Sequence, residues 1–236
     1  MKHLRHLKHT FAFLFILCLI STSAHSENAR ELSAEKILEQ VDTIYSTIKS
    51  YQDWGVVETD NKKVIFYTLF VNPDRFLFKW GPAQNQKKEE IDFSDYAVIW
   101  SNSDGVYTKS TYDKAGSEIE IEKSLGTAVS KATGSSLMAA YIVGSLLMDE
   151  PDGWLVGNPN QPVIIGNEEI RGHNCYHIKD VNPRTGTEYH LWIDVQSYLV
   201  HKVTTNWPDM EFETNFCEIA INQEIDLAQF DFYRGK

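Results

Sequence analysis

Gln161 to Ala220 holds four short apolar-rich runs: Cys175-Tyr176-His177-Ile178, Tyr189-His190-Leu191-Trp192-Ile193, Tyr198-Leu199-Val200-His201-Lys202-Val203-Thr204, and a last one from Glu211 that carries on to Ile221. Val163-Ile164-Ile165 leads in, and Ile170-Arg171-Gly172 turns the chain. Between the first two runs stands Asn182-Pro183-Arg184-Thr185-Gly186, where Pro fixes φ and Gly supplies a positive φ. Asp194 to Ser197 makes the next turn, and Trp207-Pro208-Asp209 breaks the chain before the last run. Turns this short force successive strands to lie antiparallel, so the stretch is predicted to be a β-meander. Its large apolar side chains need a covering layer on one face.

Upstream, Glu31 to Tyr51 carries Ile37, Leu38, Val41, Ile44, Tyr45 and Ile48 at spacings of three and four, which predicts an amphipathic helix capped by Ser33. The period then switches to two. Strands are predicted at Trp54 to Thr59, Val64 to Val71, Arg75 to Trp80, Ile91 to Phe93, Tyr96 to Asn102 and Val106 to Tyr112. Asn72-Pro73-Asp74 and Asp104-Gly105 supply turns, and Gly81-Pro82 to Glu90 a charged hairpin tip. Ile119 to Leu147 is predicted to be two or three short helices, interrupted by Gly126, Gly134 and Gly144. Leu137 to Met148 is apolar nearly all round and should be buried on most sides. A Pro/Gly/Asp/Asn loop, Asp149 to Asn160, returns the chain to the meander. No internal repeat or linker divides it.

The first residues read as an export signal. Lys2, Arg5 and Lys8 precede an unbroken apolar run, Phe11 to Ile20, and the small polar segment Ser21 to Ser26 follows. The expectation is a signal peptide over 1–26 and one domain over 27–236, in the periplasm. Removing the signal leaves 19 basic residues against 33 acidic ones, a net charge of −14. Such a field repels nucleic acid and anionic membranes. Cys175 and Cys217 remain, in a compartment that permits disulfides. On the first and fourth runs of a meander they would lie roughly 14 Å apart, whereas a bridge needs Cα atoms within about 7 Å.

No GxSxG, phosphate-binding Gly loop or HExxH is present. His173, Cys175 and His177 alternate on one strand face, a spacing that can hold a metal or serve a hydrolase, and equally describes a solvated strand face. His190 and His201, on later strands, are the residues able to approach it. The acidic pairs Glu89-Glu90, Asp149-Glu150 and Glu168-Glu169 sit in turn-like segments and read as solvated. Aromatic density on strands is the stronger signal. Phe66, Phe76, Phe78, Trp80, Trp100, Tyr176, Trp192 and Phe212, with Leu137 and Tyr141 on the helices, are candidates for a ligand-binding wall; an ordinary sheet–helix core would use the same residues.

Three stretches carry a resemblance: Phe70-Val71-Asn72-Pro73-Asp74-Arg75-Phe76-Leu77-Phe78, Arg171-Gly172-His173-Asn174-Cys175-Tyr176-His177-Ile178, and Leu191-Trp192-Ile193-Asp194. With the order of elements, they resemble the LolA-like group, the periplasmic lipoprotein carriers and relatives that include the LolB receptor and RseB-type sensors. The resemblance implies an α+β fold: a strongly curved, unclosed antiparallel sheet, a half-barrel, wrapped around a few helices. It implies a monomeric, non-enzymatic binding protein without cofactor, holding lipid or lipoprotein acyl chains in the concave face, with the 119–148 helices as lid. An RseB-like sensor engaging an envelope protein partner is the alternative from the same group. A metal-dependent or hydrolytic enzyme using His173, Cys175 and His177 is the alternative from another class. In true carriers an inner-strand Arg helps hold the lid, and Arg75 lies in the matching strand.

Overall fold

A computed structural model describes residues 32–83, 96–111, 118–148, 155–156, 158–207 and 210–231. The expected signal peptide, the strand at Ile91 to Phe93, the pairs Glu89-Glu90 and Asp149-Glu150, and most of the Asp149 to Asn160 loop lie outside them. Among the described residues no helix is long and apolar enough to cross a membrane.

Eleven strands form one antiparallel sheet. In chain order they are β1 (Ser50–Glu58), β2 (Lys63–Val71), β3 (Arg75–Pro82), β4 (Ala97–Asn102), β5 (Gly105–Ser110), β6 (Glu120–Glu122), β7 (Val163–Ile170), β8 (His173–Val181), β9 (Glu188–Asp194), β10 (Val200–Trp207) and β11 (Met210–Ile221). In space the order is β6-β5-β4-β3-β2-β1-β11-β10-β9-β8-β7. The sheet is therefore two meanders joined where β1 pairs with β11, and β6 and β7 at its ends do not close on each other. The Gln161 to Ala220 meander is present, with Val163 to Ile170 as a fifth strand.

Three helices cover one face: α1 (Ala34–Thr47), α2 (Leu125–Ala132) and α3 (Ala139–Leu147). Ser33 caps α1, its Oγ accepting from the Lys36 N–H at 3.4 Å. The helix stops short of the expected Tyr51 because Ser50 and Tyr51 already pair with β2. Tyr45 reaches β10, where its hydroxyl accepts from the Val200 N–H at 3.2 Å. At the other side α2 packs on β4, β5 and β6, and α3 packs against α1 and α2. One apolar cluster joins the three helices to the strands from β4 across to β8 in spatial order, from Ile99 of β4 to Ile178 of β8. A sheet this wide buries its face under three short helices by curling round them. Bulges at Trp54/Gly55, Val200/Lys202 and Ile164/Gly166 add bend and twist. This is the curved half-barrel that the LolA-like resemblance implies.

Two expected elements differ. Glu118-Ile119-Glu120-Ile121-Glu122 alternates apolar and acidic residues, and it pairs as edge strand β6 rather than opening a helix. Tyr198 sits in the turn with φ 57°, and β10 begins at Val200.

The outer face of the sheet is covered in part. Phe230, in a short 3-10 helix (Leu227–Phe230), packs with Leu69, Leu77, Val98 and Trp100, so β2 and β3 are buried on both sides. Gly55 sits at the β1·β11 bulge. A Cβ there would stand 2.3 Å from Phe66 Cζ and 2.5 Å from the Asn215 carbonyl oxygen. Backbone cannot yield as a side-chain tip can. Gly55→Ala is expected to cost about 3 kcal/mol, the upper part of the usual range for overpacking. A denaturation midpoint unchanged from wild type would refute this.

Candidate functional site

Four of the candidate aromatics form a continuous strip on the concave face. Phe76, Phe78 and Trp80 recur at every second residue of β3, as the strand period requires. Ring centroids are 6.4 Å apart for Phe76 and Phe78, 5.5 Å for Phe78 and Trp80, and 5.7 Å for Phe66 and Phe78. Phe216 meets Phe66 edge-on at 5.8 Å. All are buried beneath the helices. The strip is the protein's core, and the helices fill the hollow it lines.

A cavity of about 490 Å³ remains at one end of that hollow. On one side is the α2–α3 connection, with Gly134, Leu137, Met138 and Tyr141. Asn182, Thr185 and Thr187 of the β8–β9 turn, with Thr205 and Phe212, form the other. Its volume falls in the range of about 300–1,000 Å³ typical of small-molecule sites. Apolar side chains make up most of the lining, with the hydroxyls of Thr133, Thr185, Thr187 and Thr205 among them. The α2–α3 connection is held in an unusual shape. Leu137 and Met138 have φ of 51° and 73°, two consecutive left-handed residues without glycine. Met138 stands at the N-terminus of α3 with no side-chain cap, and Ser136 Oγ instead accepts from the Ala140 N–H at 3.1 Å. Left-handed backbone at bulky residues costs of order 1–3 kcal/mol each and collects at clamps and switches.

The convex face of β7 to β10 carries two histidine groups. In the first, Glu168 Oε1 and His177 Nδ1 are 2.7 Å apart, His177 Nε2 and His190 Nδ1 2.7 Å, and His190 Nε2 and Glu188 Oε1 3.1 Å. Trp192 stacks on His177 at 4.2 Å and donates its Nε1–H to Glu168 Oε2 at 2.9 Å, with the Lys202 ammonium 4.6 Å over its ring. Bonds from Trp192 hold the Glu168 carboxyl below its ordinary range, and Lys179 does the same for Glu188. Both carboxylates are then acceptors, so His177 Nδ1 and His190 Nε2 face them as donors. Burial opposes charge on His177 and lowers its pKa.

The second group joins His173 of β8, Asp194 of β9 and His201 of β10, with donor atoms all within 4.8 Å of one another. His173 Nδ1 is 3.4 Å from Asp194 Oδ2, and the two imidazoles stack at 4.0 Å. Burial, then the neighbouring His173, pushes His201 down to about 4, which leaves it neutral at physiological pH. Although burial pulls Asp194 up, the Ser197 N–H and hydroxyl and the Gln196 N–H keep it below the ordinary carboxylate value.

The candidate residues thus separate. Leu137, Tyr141 and Phe212 line the cavity. Phe66, Phe76, Phe78 and Trp80 lie in the core, and Tyr176 packs against it. Trp100 and Trp192 do not face the helices. They occupy the alternate positions of β4 and β9, so Trp100 stacks on Tyr107 at 5.2 Å beside Phe230, and Trp192 joins the histidines. Arg75 alternates with the inward Phe76 and so points away from the helices, which removes it from any inner-strand latch. His173, Cys175 and His177 share a strand face but do not converge. The two histidines belong to different groups, and burial pushes the Cys175 thiol up to about 11, the reverse of an activated nucleophile. Cys175 and Cys217 are unpaired, three strands apart in the sheet.

No protein-family model and no curated protein matches this sequence. Among solved structures, the chain is similar to LprF from Mycobacterium bovis, at 12% identity over 82% of this chain and 95% of that one, with a TM-score of 0.49. It is similar to the Mycobacterium tuberculosis lipoprotein LppX at 11% identity, 82% and 97% coverage and a TM-score of 0.49. A chain of the Pseudomonas aeruginosa MucA/MucB complex aligns at 11% identity over 84% of this chain and 60% of its own length, with a TM-score of 0.46.

Proposed function

We propose that this chain is a non-enzymatic periplasmic carrier, exported by its leader, that holds a lipid or lipoprotein acyl chain in the cavity beside the α2–α3 connection. The observation that carries the reading is the cavity itself: mostly apolar, with a few hydroxyls in its lining, and bordered by the strained Leu137-Met138 pair. An acyl chain would lie along Leu137, Met138 and Phe212, with its polar end among Thr185, Thr187 and Thr205. Each buried methylene contributes about 0.8 kcal/mol, so micromolar retention takes about ten of them, the length of a medium acyl chain. The α2–α3 connection would be the part that moves on loading, because α3 is packed on nearly every side.

The test is organic extraction of gently purified protein followed by mass spectrometry. Lipid near one per protein is expected. A blank extract, repeated after lipid is added back, would sink the proposal. Phe212→Arg places a charge at the half-buried mouth and is expected to weaken binding of a fluorescent fatty acid by at least about tenfold, while moving stability by no more than about 1 kcal/mol. Unchanged affinity in that variant would place the ligand elsewhere.

A further inference from the structure

We propose that His173, Asp194 and His201 form a binding site for one divalent transition-metal ion of the zinc class, on the convex face and so on the side of the sheet opposite the lipid cavity.

The three residues come from three adjacent strands at the same end of the sheet. Their donor atoms lie within 4.8 Å of one another, and a small rotation of the half-exposed His173 would bring them to ligating distance. Two imidazoles and one carboxylate are a donor set that suits zinc, with a fourth position left to water.

Three independent features make this a built site. The first is the bulge in β10. Val200 opposes Ile193 and Lys202 opposes Trp192, so His201 is the extra residue that the ladder leaves unopposed. A bulge of this kind re-aims a side chain, and here the ring turns onto His173. The second is His201 itself. It is 7% exposed, held beneath the same depression that His173 and Asp194 line. The third is the anchoring of Asp194. Its Oδ1 accepts from the Gln196 N–H, the Ser197 N–H and the Ser197 hydroxyl at 3.0, 2.7 and 2.8 Å. Oδ2 is thereby fixed toward the histidines. This is the outer support that metal-binding carboxylates require. All three donors line one open depression of about 620 Å³, so an ion can reach them from solvent.

The neighbouring His177–His190 pair does not compete on equal terms. Both of its rings are committed at both nitrogens, to each other and to Glu168 and Glu188.

The test is calorimetric titration of zinc sulfate into the untagged, chelator-stripped protein at neutral pH, with cobalt(II) as a spectroscopic probe. One ion per chain at micromolar or tighter affinity is expected, together with the strong visible absorption of four-coordinate cobalt. His173→Ala and His201→Gln should each weaken zinc by at least about 100-fold, while His177→Ala stays within about threefold of wild type. The circular dichroism of each variant controls for folding, and His173, half exposed, is the variant least able to disturb it. Affinity weaker than millimolar overturns the proposal. So does unchanged binding in either ligand variant, or a loss in His177→Ala as large as in His201→Gln. Lipid loading should be unaffected throughout, since the cavity lies on the other face.

Discussion

Asp53→Asn is expected to stabilise the protein by roughly 4 kcal/mol at pH 8 and by little near pH 4. Asp53 is 2% exposed and faces the concave side, where the Tyr51 hydroxyl donates to its Oδ2 at 2.8 Å. Burial raises its pKa to about 7, more than the bond from Tyr51 can offset, and its Oδ1 has no partner among the described residues. In the unfolded chain the same group titrates near about 3.9. Between those values the folded state binds the extra proton, so rising pH favours unfolding. The wild type is most stable, as far as this group matters, below about pH 4; it loses that stability through about pH 7 and is level above. Asparagine keeps an acceptor for Tyr51 and never ionises. Urea denaturation of both proteins at several pH values gives the comparison, and the difference between them isolates Asp53 from other titrating groups. Parallel stability curves would show that the carboxyl is not buried as described.

The second large effect is Phe78→Ala, expected to cost about 3–5 kcal/mol. Phe78 is fully buried and meets Phe66, Phe76 and Trp80 at once. Removing the ring takes away its apolar burial and leaves a hole that three rigid aromatics on adjacent strands cannot close. This variant separates the two uses of aromatic side chains here. Phe78→Ala should shift the denaturation midpoint strongly, and Phe212→Arg should change lipid affinity with the midpoint nearly intact. If Phe78→Ala left stability untouched and abolished lipid binding, the strip would be a ligand wall after all.

That distinction was not legible from the residues alone. Alternation placed Phe76, Phe78 and Trp80 on one face of β3, correctly, because the strand period is local. It could not say whether the space in front of them is filled. The answer depends on α3, whose all-round apolar sequence required burial without naming the partner. In the sequence Trp100 and Trp192 look like inner-wall residues because both lie on strands and both are large. Their phase relative to the helices needed the sheet register, which no short-range pattern encodes. The same limit applied to the histidines. The alternation of His173, Cys175 and His177 was visible, and His190 and His201 were in view on later strands. Only the bulge at His201 decides which ring meets which, and a bulge leaves no mark in composition. The meander itself was clear because Pro183, Gly186 and Gly172 fix its turns locally. The edge strand β6 reads as helix in the sequence because its five alternating residues adjoin a longer stretch of period near 3.6.

The pairing of β1 with β11 bears on the order of events during synthesis. Tyr51 finds Ile221, and Glu58 finds Glu213, so the central seam joins the two ends of the sheet's sequence. Each meander can assemble from neighbours, but the seam must wait for almost the last strand to emerge. Until then β1 keeps an open edge, and α1 lacks the β10 backbone that Tyr45 bonds. A chain with this topology cannot finish folding before β11 has been made.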